Sequence, residues 1–123
     1  MVNKDGRRDL LGDLSNAFVN KALAKENSGD LAGALEAYDS ALGNYPAAPH
    51  NLAHFVRFSW FRLDITLKLE KWDKAAADIL AFFDTFESVW PLVNSSEWQN
   101  AAVEEFREFA SVIGRLSDEN KEK

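Results

Sequence analysis

The sequence has no cysteine, one methionine, three prolines and two histidines among its 123 residues. Without cysteine there is no disulfide framework and no thiolate metal site, which fits a reducing compartment. Basic residues are in deficit, 14 Lys and Arg against 20 Asp and Glu, giving a net charge of −6 and a pI near 4.9. Nucleic acid and anionic membrane both demand a basic surface, so this balance argues against either as a partner. No apolar run has the length of a bilayer span. The opening MVNKDGRRD lacks the apolar core of a signal peptide, so a cytoplasmic location is expected. No segment alternates polar and apolar residues over a useful length, so no strand is expected. A glycine-rich phosphate loop, a serine elbow and a separable pair of carboxylates are also missing. The expectation is a protein that is not an enzyme, with no catalytic residue, no metal and no cofactor.

What is present is helical. At 46% hydrophobic and 28% charged, the composition is that of an ordinary globular protein. A chain of this length suits one domain that buries roughly two-thirds of its unfolded surface. The domain is placed at residues 9–116, between a polar N-terminus (1–8) and a charged tail (117–123), both expected to be flexible.

The clearest element is GDLAGALEAYDSALGNYP, residues 29–46. Leu31, Ala34, Leu35, Tyr38, Ala41, Leu42 and Tyr45 share one face at helical spacing. Gly29 suits the left-handed residue that ends a preceding helix, Asp30 favours a helix N-terminus, and Pro46 stops the run. Before it, Leu11, Leu14, Phe18 and Ala22 form a stripe widened by Val19 and Leu23, predicting a helix over 9–28 and a tight helical hairpin. Pro46-Ala-Ala-Pro49 is a rigid break. Residues 50–70 are apolar nearly all round, the pattern of a helix sandwiched between others. A turn at Lys71-Trp72-Asp73 leads to a fourth helix, 74–87, with Ala75, Ala76, Ile79, Phe82, Phe83 and Phe86 on its face. A fifth helix is predicted over 96–116, using Trp98, Ala102, Phe106, Phe109 and Ile113, with Ser96 and Gln99 at capping-box spacing. Asn94-Ser95-Ser96 matches the glycosylation sequon, but it reads as helix-cap chemistry.

The two hairpins superimpose: Leu31-Ala-Gly-Ala34 matches Trp72-Asp-Lys-Ala75, and Ala34 to Ala75 is a step of 41 residues. Helix-pair repeats of this length point to an α-solenoid. Gly29-Asp30-Leu31, Ala34, Tyr38, Ala41 and Pro46 resemble the second half of a tetratricopeptide repeat, and Phe18 and Ala22 stand where that family places a large aromatic and a small residue. Lys21 and Lys25 depart from the family's usual leucine and tyrosine. The second hairpin keeps Trp72 and Ala75, carries Phe82 in a small-residue slot, and lacks the glycine and the closing proline. The resemblance implies an all-α array of two antiparallel hairpins plus a C-terminal capping helix, about five helices in all. It also implies a protein-interaction role, with a groove lined by Asn16, Asn20, Leu23 and Asn27 on the first helix and by Arg57, Phe61, Asp64 and Lys68 on the third. The Lys/Asn set with which some members grip a C-terminal carboxylate is missing, since Val19 and Leu23 fill its first-repeat positions.

Each candidate has a plainer reading. Arg57, Asp64 and Lys68 can be the solvated edge of a helix, with Asp64 and Lys68 paired across one turn. His50 and His54 stand one turn apart, as metal ligands do, yet no third ligand can be named. The aromatic stretch 82–93 is either core beneath the last helix or a surface for association. Three functions follow as expectations. The first is a non-catalytic adaptor or regulator that binds a protein segment in the groove. The second is a self-associating protein, a homodimer through Phe86, Val89 and Trp90. The third is a small acidic inhibitor or immunity-type protein that blocks a basic partner.

Overall fold

The computed structural model describes the backbone of residues 4–43 and 45–122, and the side chains of 13–43 and 45–115. The described chain is all-α, with five helices: α1 (Lys4–Asn27), α2 (Leu31–Gly43), α3 (Leu52–Lys68), α4 (Trp72–Val89) and α5 (Ser96–Glu122). Single 3₁₀ turns at Pro49–Asn51 and Trp90–Leu92 lead into α3 and out of α4. No strand occurs among the described residues. Of the ends expected to be flexible, residues 1–3 and 123 lie outside the described residues, while 4–8 and 117–122 continue α1 and α5. Where the sequence suggests one domain over 9–116, the contacts gather into two compact units, 1–46 and 47–123, divided inside the Pro46–Pro49 linker.

The first unit is the α1–α2 hairpin. Its turn is a Schellman motif: Asp30 N–H donates to the Lys25 carbonyl at 2.8 Å and Gly29 N–H to the Glu26 carbonyl at 3.0 Å. The motif requires a left-handed residue, and Gly29 supplies it at φ 88°. Asp30 then caps α2, its Oδ1 accepting the Gly33 N–H at 2.9 Å. Ala22, Ala34, Tyr38 and Ala41 are fully buried, so three methyl groups and one ring let the two backbones approach closely. On α1 the inward stripe differs from expectation. Ser15, Val19 and Ala22 face in, while Leu14 is 53% exposed. Val19 and Ala22 lie on the expected stripe, so among the described residues the departure is confined to Leu14, which is exposed, and Ser15, which is buried.

The second unit is a three-helix bundle running up, down, up. Phe55 stacks on Phe82 at 5.5 Å and Arg62 pairs with Asp78, so α3 and α4 are antiparallel. Arg57 meets Glu105 and Asp64 meets Arg115, so α3 and α5 run parallel, their backbones close over much of their length. Helix α4 reaches α5 through rings: Phe82 stacks on Phe109 at 4.1 Å, and Phe83 and Phe86 meet Phe106 at 6.1 and 5.3 Å. Phe82 and Phe109 are buried to within 2% of full exclusion and form the centre of this core. Helix α3 buries residues on most of its circumference, as its composition predicts for a sandwiched helix. Its buried hydroxyls are satisfied locally, Ser59 donating to the Phe55 carbonyl and Thr66 to the Arg62 carbonyl.

The α3–α4 turn repeats the first hairpin's geometry. Lys71 N–H donates to the Thr66 carbonyl at 3.1 Å and Glu70 N–H to the Leu67 carbonyl at 3.0 Å, with Glu70 left-handed at φ 57°. The turn lies at Leu69–Lys71, and Trp72 opens α4 rather than sitting in the loop. At the start of α5 the cap is Ser95, one residue before the expected Ser96. Its Oγ accepts the Trp98 N–H at 3.4 Å, while the Gln99 side chain reaches back to the Val93 carbonyl at 2.9 Å.

Candidate functional site

Four sets of side chains are candidates for a functional site. The first is the α1 set. Asn16, Asn20 and Asn27 are exposed and Leu23 is half-buried. A shallow cleft of about 220 Å³ on the same hairpin is lined by Phe18, Lys21, Lys25, Asp30, Glu36 and Ser40, with none of the groove asparagines in its wall.

The second is the α3 set, Arg57, Phe61, Asp64 and Lys68, whose three charged members are engaged inside their own unit. Arg57 donates from Nε and Nη2 to Glu105 Oε1 at 3.0 and 2.8 Å, and the Trp60 indole N–H donates to Glu105 Oε2 at 2.9 Å. Burial pushes the Glu105 carboxyl up. The hydrogen bonds from Arg57 and Trp60, with the charges of Arg57 and His54, outweigh that and hold it below the ordinary glutamate value. Asp64 bridges Lys68 at 3.1 Å and Arg115 at 2.7 Å. The Asp64–Lys68 pair expected from one-turn spacing is therefore present, and a partner on α5 is added to it. Glu105 and Arg115 escaped the sequence reading because a link across 48 or 51 residues leaves no periodic signal. A half-buried ion cluster lies on another flank of α3, where Arg62 and Lys74 both meet Asp78, at 3.5 and 3.1 Å; its Lys74–Asp78 arm has one-turn spacing, and its Arg62 arm depends on how α3 meets α4.

The third set is the aromatic stretch. Val89 is buried, and Phe86 and Trp90 are half-buried, stacked on each other at 5.5 Å with Phe86 also against Phe106. Leu92 beside them is 64% exposed. The histidines make ring contacts, His50 edge-on to Trp98 at 6.4 Å and His54 stacked on Phe58 at 6.2 Å. Among the described residues, no group of three His, Asp or Glu side chains is placed to hold a metal ion.

The fourth set is one the sequence reading did not single out. On α4, Ala76, Ala77, Leu80 and Ala81 face outward, with Leu80 67% exposed. Ala76, expected on the inner face, belongs to this outer one. Asp73 precedes this band, and Asp84 and Glu87 follow it on the same face, all three exposed. The available signal was positional: Leu80 falls outside the Ala75, Ile79, Phe82, Phe86 stripe, and an isoleucine–leucine pair at 79–80 cannot turn both side chains inward.

Among the described residues no helix is long and apolar enough to cross a membrane. Comparison with protein-family models, with curated proteins and with solved structures finds no match to this chain. The class defined is an all-α helical protein.

Proposed function

We propose that this chain is a non-catalytic protein-interaction module, an adaptor or regulator that holds a segment of another protein against its helices. The observation that supports the reading is the recurrence of one hairpin turn at a 41-residue step, Gly29 and Glu70 in the same left-handed role. A repeated helix pair is the unit of α-solenoids, whose common use is to present helix faces to other proteins. The tetratricopeptide resemblance at Gly29–Pro46 points the same way.

The candidate contact residues remain Asn16, Asn20, Leu23 and Asn27 on α1 and Arg57, Phe61, Asp64 and Lys68 on α3. Their test is quantitative capture from the source cells by the immobilised full chain, repeated with Arg57→Ala and Asp64→Ala. A stoichiometric partner retained by the parent and lost by these variants supports the α3 set. Unchanged capture removes the α3 set, and the absence of any saturable protein partner removes the reading itself. The acidic-inhibitor alternative gains one specific support, the carboxylates of the outer α4 face, and predicts a complex that weakens steeply with salt. Light scattering at rising concentration tests the homodimer through Phe86, Val89 and Trp90, and a monomer throughout ends it.

A further inference from the structure

We propose that the outward face of α4 is a docking surface for a basic amphipathic helix of a partner protein. The inference rests on the protein-binding reading above and names a site and a partner chemistry for it. Along this face, two turns of apolar surface, Ala77, Leu80 and Ala81 among them, lie between Asp73 at one end and Asp84 and Glu87 at the other. A leucine two-thirds exposed on a packed helix, set among alanines, gives a knob with room on either side for an incoming helix. The charge around that knob has one sign. The single lysine of α4, Lys74, is half-buried and held by Asp78 at 3.1 Å, so the exposed charged residues of α4 are Asp73, Asp84 and Glu87, with exposed Lys71 outside the helix at its N-cap.

This pattern selects the occupant. A second copy of the chain would set carboxylates against carboxylates: laid antiparallel about Leu80, Asp73 of one α4 falls opposite Asp84 and Glu87 of the other. An anionic membrane surface is repelled for the same reason. A helix with leucines on one face and lysines or arginines about two turns to either side of them satisfies both features. From Asp73 to Glu87 is fourteen residues, or about 21 Å at helical rise, so the occupant presents a comparable length. One helix pair buries an area at the small end of specific interfaces, so the complex is weak and exchanging, with a Kd on the order of 10–100 µM.

The test uses the full chain labelled for NMR and a synthetic peptide of about 18 residues, long enough to hold a helix. The peptide carries leucine and alanine on one face and lysine towards both ends. A second peptide has glutamate in place of each lysine, and a third is scrambled. The expected result is saturable shift change on the amides of α4 with the lysine peptide alone, weakened severalfold by salt and at least tenfold by Leu80→Asp. Leu80 is 67% exposed, so that variant is expected to keep the fold. Asp84→Lys with Glu87→Lys reverses the preference and admits the glutamate peptide. Three results each overturn the proposal: no shift change, change confined to other helices, or binding untouched by Leu80→Asp and by the charge reversal. The broader reading is judged separately, because a partner captured from cells equally well by the parent and by Leu80→Asp keeps the interaction module while removing this site.

Discussion

Gly29 and Glu70 occupy the same left-handed position in two hairpin turns with the same hydrogen-bond pattern, at φ 88° and 57°. Glycine takes that conformation without steric penalty, whereas a side chain with a Cβ is held there by the rest of the turn. Glu70→Gly is therefore expected to stabilise the protein by about 0.5–1 kcal/mol, the relief of strain less the entropy of a more flexible unfolded chain. Gly29→Ala is expected to destabilise it by about 1 kcal/mol. A Cβ at Gly29 would meet nothing within 4 Å, so the cost there is conformational alone. Urea denaturation of both variants, with midpoints compared at constant slope, checks the pair of opposite signs.

Phe82 lies at the centre of the second unit, 2% exposed, with rings from α3, α4 and α5 around it. Phe82→Ala removes a ring whose space the neighbouring rings cannot refill, and a loss of about 3–5 kcal/mol is expected. Leu80→Ala, two residues earlier on the outer face, is expected to change stability by less than about 0.5 kcal/mol. Thermal melts followed by circular dichroism separate the two. Equal effects would show that α4 is rotated from the orientation described.

Glu105 ties α5 to α3 through Arg57 and Trp60. Its carboxyl is held below the ordinary value, so the ionised form is the stabilising one. That contribution is complete above the unfolded glutamate value and is lost as pH falls through the lower, folded value. Glu105→Gln is expected to cost about 1–2 kcal/mol at neutral pH, since one acceptor oxygen and the charge are both removed. Its stability should then fall less steeply than the parent's on acidification. Denaturant midpoints from pH 7 down to pH 3 check this, and parallel curves for parent and variant would contradict it.

How much of this was legible in the sequence follows from the range of each interaction. Ala34, Tyr38 and Ala41 announce a buried face because helical spacing is written locally, and the Gly29 turn because glycine marks it. The equivalent turn at Glu70 carries no glycine to mark its left-handed residue, so the sequence placed it two residues late, at Lys71–Asp73. Leu14, expected on the inner face, is exposed and its neighbour Ser15 is buried, because at the edge of a stripe hydropathy alone does not decide which side chain turns in. Of the candidate site, the Asp64–Lys68 pair was readable as a one-turn spacing. Its third member, Arg115, and the whole Arg57–Trp60–Glu105 group depend on how α3 meets α5, which no local pattern encodes. The outer α4 face was missed because attention to the stripe that packs passes over the leucine that does not.

Lys71 is the N-cap of α4, with its carbonyl accepting the Ala75 N–H at 2.9 Å and no side-chain cap. It stands where Asp30 stands in the first hairpin, and there the carboxylate accepts the N–H three residues on. A lysine at this position leaves the first-turn donors to solvent and sets a positive charge at the positive end of the helix dipole. Lys71→Asp reverses both effects, and a gain of about 1 kcal/mol is expected from the cap together with the charge. Asp30→Ala is the converse and is expected to lose about 1 kcal/mol. Because Glu70 and Lys71 are adjacent, the double variant Glu70→Gly, Lys71→Asp tests whether the two gains are independent. Turn and cap use different donors, N–H groups bonding back to α3 in one case and the N–H of Lys74 in the other. Near-additive gains are therefore expected, and a double variant no more stable than either single one would show that the turn, not the missing cap, limits how α4 begins.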